Sequence, residues 1–190
     1  AQLIDEYAAT ETAAQAGEPA EFAEAWAVSV LDAAHATVST VPFTHLATVY
    51  QTARGDVGRV LSLLRGTHPG AVDTQASVIE RELVYLERWL QQFAPDSIKF
   101  EIQDALPACE LDSDEQRYGD ELANRLEQTA WEGEALQVVI FATAQAQGLA
   151  PRTAFKTLYR LFLDREAGPK LGPFLASLEP EFVIRRIRRL

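Results

Sequence analysis

Methionine is absent from all 190 residues, and cysteine occurs once, at Cys109. A lone cysteine excludes an intramolecular disulfide and suits a reducing, cytoplasmic setting. Its surroundings, LPACELD, are acidic and hold no histidine, so nothing there favours the thiolate that a nucleophile needs. The missing methionine is what a piece of a longer chain would show. Histidine is scarce: His35, His45 and His68 stand apart, and no His, Cys and carboxylate group has metal-ligand spacing. There is no Gly-rich phosphate loop. No apolar run approaches the ~18 residues of a membrane span, and the acidic start AQLIDEYAATETAAQ lacks a signal-peptide core. Acidic pairs such as Asp112 with Asp114, or Asp120 with Glu121, read as solvated helix starts. No catalytic residue, metal or cofactor is assigned to the chain, which leaves a binding module or the accessory domain of an enzyme.

What is present is apolar and helical. The 47% hydrophobic content, with nine Phe, five Tyr and three Trp, excludes global disorder. Phe22, Trp26, Val30 and Leu31 fall at helical spacing between Glu18 and Val38. Pro42 opens a second helix; Asp56 caps a third, GRVLSLLR, which Gly66 should end. From about Asp73 to Phe93, the positions Ile79, Leu83, Leu86, Leu90 and Phe93 line one face. Alternation at Ile98, Phe100 and Ile102 is strand-like but too short for a sheet, and reads as an extended linker. Ser113 to Gln116 has capping-box spacing and starts a helix running through Tyr118, Leu122, Leu126 and Trp131. Glu134 to Gln147 forms another, stopped by Gly148, and Pro151, Pro173 and Pro180 open the last three. The expectation is an all-α protein of about ten helices in two subdomains, 1–95 and 112–190, joined by 96–111.

Charge is divided unevenly. Residues 1–151 carry 8 Lys/Arg against 24 Asp/Glu, while residues 152–190 carry 9 against 4, within a net charge of −11. An acidic body with a basic end steers an anionic partner to that end; a solvated helix face is the plainer alternative. On a helix from about Glu181, Phe182, Val183, Ile187 and Leu190 anchor one face, with Arg185, Arg186, Arg188 and Arg189 projecting around the rest. Before them, Gly168-Pro169-Lys170-Leu171-Gly172-Pro173 combines close backbone approach with rigid turns. A helix start at Pro173 would offer N–H groups to phosphate oxygens. Cations beside aromatic rings suit single-stranded RNA, whose bases unstack onto side-chain planes.

The segment AFKTLYRLFLDREAGPKLGPFLASLEPEFVIRRI resembles the C-terminal end of class I lysyl-tRNA synthetases, where a helix is followed by Gly-Pro-(Arg/Lys)-x-Gly, a Phe-Leu-Ala-Ser-Leu run and Phe-Val-Ile. WLQQFAPDSIKFEIQDALP is similar to that family's Trp-Leu-x-x-Tyr-Ala-Pro segment, and VPFTHLATVYQ and LIDEY fit more loosely. The HIGH-type and KMSKS-type motifs of the family's ATP-using catalytic domain do not occur in the chain. The resemblance therefore implies the C-terminal, anticodon-binding α-helix cage, with ATP needed only by the parent enzyme and the anticodon loop of lysine tRNA as partner. Related glutamyl-tRNA synthetases carry a Ser/Thr-Pro-x-Leu turn near the anticodon. By that likeness Pro169 and Leu171 would contact bases, with Gly168 at the Ser/Thr position and Lys170 on a phosphate. Tyr159 would offer a stacking ring, Arg160 a planar guanidinium, and Arg165 a further cation. A helical protein-interaction module and a free-standing tRNA-binding paralogue remain as alternatives.

Overall fold

A computed structural model of the chain describes residues 38–107 and 111–189. The expected all-α architecture is what forms: eight helices and no strand among the described residues. The expected helix from Glu18 (but for Val38 itself), His35, the LIDEY stretch and Cys109 lie outside them. The chain divides into two compact units, Ala1–Phe93 and Ala94–Leu190.

In the first unit, α1 (Phe43–Thr52), α2 (Val57–Thr67) and α3 (Pro69–Gln92) enclose Leu46, Val49, Val60, Leu64, Ile79, Leu83 and Leu86. Asp56 caps α2 as expected, its carboxylate accepting from the Arg59 N–H at 2.8 Å. Gly66 does not end α2, which continues to Thr67, and α3 begins at Pro69, ahead of the expected Asp73. The early start is bought with a kink: Gln75 leaves helical geometry at φ −128°, ψ 19°. Its side-chain oxygen there accepts from the backbone N–H (2.9 Å) and hydroxyl (3.1 Å) of Thr40. Glu82 does the same for Ser39, with both contacts at 2.6 Å, so two α3 side chains pin the segment entering α1. Phe93, expected on the inner stripe, lies one residue past the helix with φ −129° and is exposed; Trp89 instead meets Phe43 edge-on at 5.1 Å.

Where α2 passes into α3, the imidazoles of His45 and His68 lie with centroids 4.9 Å apart. The Thr67 hydroxyl is 3.2 Å from His45 Nε2 and 3.0 Å from His68 Nδ1. Burial first, and the facing His68 second, lower the His45 pKa to about 4; burial lowers that of His68. The His45 ring is thus held neutral in the fold yet takes a proton when unfolded. The stability this contributes is complete above pH 6.5 and is lost as the pH falls from there towards 4. Denaturant unfolding of this unit should lose on the order of 2–3 kcal/mol between pH 7 and pH 4.5. The loss should shrink by more than half in His45→Gln; an equal slope in that variant would exclude His45 as its source.

The second unit comprises α4 (Ser113–Leu126), α5 (Gly133–Ala146), α6 (Pro151–Leu163), α7 (Leu171–Ala176) and α8 (Pro180–Ile187). Leu122, Leu136, Ile140, Leu158, Leu161, Phe162, Phe174 and Val183 are fully buried among them. The capping box sits one residue earlier than expected. Asp112 accepts from the N–H of Asp114 (2.9 Å) and Glu115 (2.8 Å), and Glu115 accepts from the N–H of Asp112 (3.1 Å). Glu115's other oxygen takes the Thr157 hydroxyl at 2.5 Å, tying α4 to α6 and supporting that register. The helix stops at Leu126, and the Trp131 indole N–H instead donates to the Leu178 carbonyl at 3.0 Å. Pro151 and Pro180 open α6 and α8 as expected, and Gly148, at φ +68°, follows α5.

Residues 94–107 turn at Pro95–Ile98, where the Ile98 N–H donates to the Pro95 carbonyl at 2.9 Å, and run on without helix or strand. Ile102 is buried in this unit's core, Phe100 meets Phe174 edge-on at 5.5 Å, and the Gln103 N–H donates to the Phe162 carbonyl at 2.9 Å. The stretch is a strap across the second unit, and two arginines fasten it.

Candidate nucleic-acid interface

The basic end is built on α6. Ala154, Thr157, Leu158, Leu161 and Phe162 face the core, which leaves Arg152, Lys156, Tyr159 and Arg160 fully or partly in solvent. Asp164 adopts the left-handed conformation (φ 53°) just after α6 and turns the chain into the Gly-Pro corner. The corner is folded back on α6: the Tyr159 hydroxyl donates to the Pro169 carbonyl at 2.7 Å. Burial raises the pKa of that phenol above its ordinary 10, so it stays protonated and donating. Gly168 lies so close that a Cβ there would come within 2.7 Å of Leu163 Cδ1 and 2.9 Å of the Tyr159 ring. Glycine at 168 is therefore a packing requirement, and part of the Tyr159 ring is already spent as the floor of the corner.

The expected RNA contacts sort accordingly. Lys170 is exposed at the tip, and Pro169 and Arg160 are half-buried. Leu171, expected to touch a base, is only 1% exposed and belongs to the core; it anchors the corner and has no face to offer. Arg165 donates to the backbone carbonyls of Lys99 and, at 3.0 Å, of Asp96, so its guanidinium holds the strap. Lys156 pairs with Glu166 at 2.5 Å. That hydrogen bond and charge, with weaker help from Arg160 and Arg152, hold the exposed Glu166 carboxyl below its usual range. The phosphate site expected at a Pro173 helix start does not form. The helix begins at Leu171, Gly172 N–H is taken by Gln137 Oε1 (2.9 Å), Pro173 has no N–H, and Phe174 N–H bonds the Lys170 carbonyl (3.1 Å).

The four arginines of the C-terminus also separate into different roles. Arg186 points inward and is 5% exposed. Its Nε donates to the Leu161 carbonyl (3.0 Å), Nη1 to that of Gln103 (2.5 Å) and Nη2 to that of Ala105 (2.5 Å). The guanidinium carbon lies 5.7 Å from the Phe162 centroid and 5.4 Å from that of Phe182. Arg188 pairs with Glu127 at 2.7 Å. Arg185 and Arg189 remain exposed, beside two grooves that both of them line. The signal was present: position 186 is four after Phe182 and three after Val183, which places it on the inward stripe.

No described helix is long and apolar enough to cross a membrane, and no group of His, Cys, Asp and Glu among the described residues could hold a metal ion. No protein-family model matches the chain. It is similar to the lysine–tRNA ligase of Archaeoglobus fulgidus, 33% identical over 150 residues, which is 79% of this chain and 30% of that protein. The Thermococcus kodakarensis lysine–tRNA ligase is 33% identical over 155 residues, 80% of this chain and 30% of the relative. That of Pyrococcus horikoshii is 30% identical over 176 residues, 90% and 34%. The chain thus spans about a third of the length of the curated relatives it matches. The resemblance carried by its C-terminal motif is borne out: over most of its length the chain is a relative of the lysine–tRNA ligases, corresponding to one region of them.

Proposed function

We propose that the chain is the anticodon-recognition region of a class I lysyl-tRNA synthetase, acting in cytoplasmic translation, and that its second unit receives the anticodon loop of lysine tRNA. The observation that carries this reading is the exposed basic corner at Lys170, held rigid by Gly168 against Tyr159, on a chain that is otherwise strongly acidic. Lys170 and Arg160 take phosphate oxygens. Pro169 and the remaining face of Tyr159 meet unstacked bases, the kind of contact that tolerates a flat ring and excludes water. Phosphate contacts position the loop; discrimination of the second and third anticodon letters, both uridine, falls to the surface around Pro169. Aminoacylation and its ATP belong, on this reading, to a catalytic domain of the parent enzyme.

The test is direct titration of the 190-residue chain with anticodon stem–loops at near-physiological salt. The lysine stem–loop should bind about tenfold or more tighter than one with both uridines replaced, as losing one well-formed base contact costs about that factor. Lys170→Ala and Arg160→Ala should each weaken binding. Equal affinity for the two stem–loops would overturn the assignment.

A further inference from the structure

We propose that Arg185 and Arg189 form a second phosphate-binding site, one that grips the backbone of the same RNA away from the corner. This rests on the reading of the second unit as an RNA receiver. Basic residues in the last turn of a helix are favoured by its dipole even without a ligand, but that does not account for how these four arginines are spent. Arg186 is consumed by carbonyls and Arg188 by Glu127. Arg185 and Arg189, one helical turn apart, enter no ion pair among the described residues, in a chain with 28 acidic groups against 17 basic. They line a groove of about 280 Å³ with Leu106 and Phe182, and another of about 410 Å³ with Ile184. Asp104 lies in the first groove, and Glu127 and Glu181 in the second, with Glu127 already neutralised by Arg188. Two forked cations over partly apolar grooves fit phosphate oxygens, with room for the attached sugars on either side.

The strap makes this site rigid relative to the corner. Arg165, five residues before Lys170, holds it at Asp96 and Lys99; Arg186, between the two free arginines, holds it at Gln103 and Ala105. Four extended residues from Lys99 to Gln103 span at most ~14 Å. A stem–loop seated at Lys170 therefore has its own backbone within reach of α8. A site of this kind adds affinity without reading sequence.

The experiment is a salt titration of the full chain, comparing wild type with the double variant Arg185→Gln/Arg189→Gln on both stem–loops. The double variant should bind both more weakly, keep their affinity ratio, and flatten the slope of log K against log salt by about 1.5, two phosphate contacts' worth. Arg117→Gln, which breaks an exposed ion pair with Asp114 on α4 and lines neither groove, should leave the slope unchanged. If wild type discriminates between stem–loops but the double variant keeps its slope and affinity, the α8 site is wrong and the anticodon reading stands. If wild type binds neither stem–loop, both fall.

Discussion

Replacing Arg186 with methionine is expected to destabilise the second unit by about 3–5 kcal/mol, the range seen when one partner of a buried charged network is removed. Three carbonyls, those of Leu161, Gln103 and Ala105, would lose their charged donor at once. Leu161 lies within α6, whereas Gln103 and Ala105 belong to the strap, so one side chain staples three pieces of chain together. Lysine would not rescue it: an ammonium is a point charge and cannot present the planar fork that reaches carbonyls on several sides. The rings of Phe162 and Phe182, now flanking a cation, would flank a neutral chain of similar volume, so packing loss is small and the polar loss can be read cleanly. Denaturant unfolding followed through Trp131 gives the magnitude. Amide exchange at Gln103, whose N–H bonds the Phe162 carbonyl, gives the location, because release of the strap exposes that N–H first. Arg185→Gln, at an exposed site on the same helix, should stay within about 0.5 kcal/mol of wild type. An Arg186→Met protein as stable as that control would remove the staple from the account.

Much of this arrangement could be anticipated from the sequence, and the reasons the rest could not are specific. Helix identity followed from apolar periodicity at Ile79, Leu83 and Leu86, and helix starts from Pro151 and Pro180, because those signals act within one turn of chain. The α4 cap was expected at Ser113 and lies one residue earlier, at Asp112. A contact no local pattern shows supports that register: Thr157, 42 residues away, holds Glu115 in place. The Ile98–Ile102 stretch was read as an extended linker, but Ile98 closes a turn onto Pro95 and Ile102 is buried in the second unit's core. The stretch has strand periodicity without a strand partner, and its polar groups are met instead by arginines 66 to 83 residues distant. At the corner, Lys170 could be read from charge alone. Arg165 and Leu171 could not, because a cation beside a turn and a leucine within one look the same whether they face solvent or the interior. Net charge located the basic end; burial decided which of its cations were available.

Glycine 172 should tolerate no side chain, and Gly172→Ala is expected to cost about 3 kcal/mol or more, at or beyond the upper end of ordinary overpacking. A Cβ at this position would stand 2.1 Å from the Gly133 carbonyl oxygen, 2.8 Å from Gln137 Cβ and 2.9 Å from Gln137 N. Two of those three are backbone atoms in the first turns of α5, which cannot swing aside as the end of a flexible side chain would. Separating the helices also breaks the bond from Gly172 N–H to Gln137 Oε1, adding about 1 kcal/mol. Gly66→Ala is the matching control. No atom lies within 4 Å of its Cβ position near the end of α2, so the same chemical change there should be neutral or stabilise by up to about 1 kcal/mol. Opposite signs for one substitution at two sites would trace the loss at 172 to steric contact. The functional consequence follows from the chain itself. Lys170 is two residues upstream and caps α7, so any displacement of α7 from α5 drags the tip of the corner with it. Even at a temperature where Gly172→Ala remains folded, its preference for the lysine stem–loop should fall before its overall affinity does. Long cations still find phosphates on a displaced surface, while base contact at Pro169 requires the corner in place. A Gly172→Ala protein with wild-type melting and wild-type discrimination would mean that α7 and α5 are not held in the close contact on which the corner's rigidity depends.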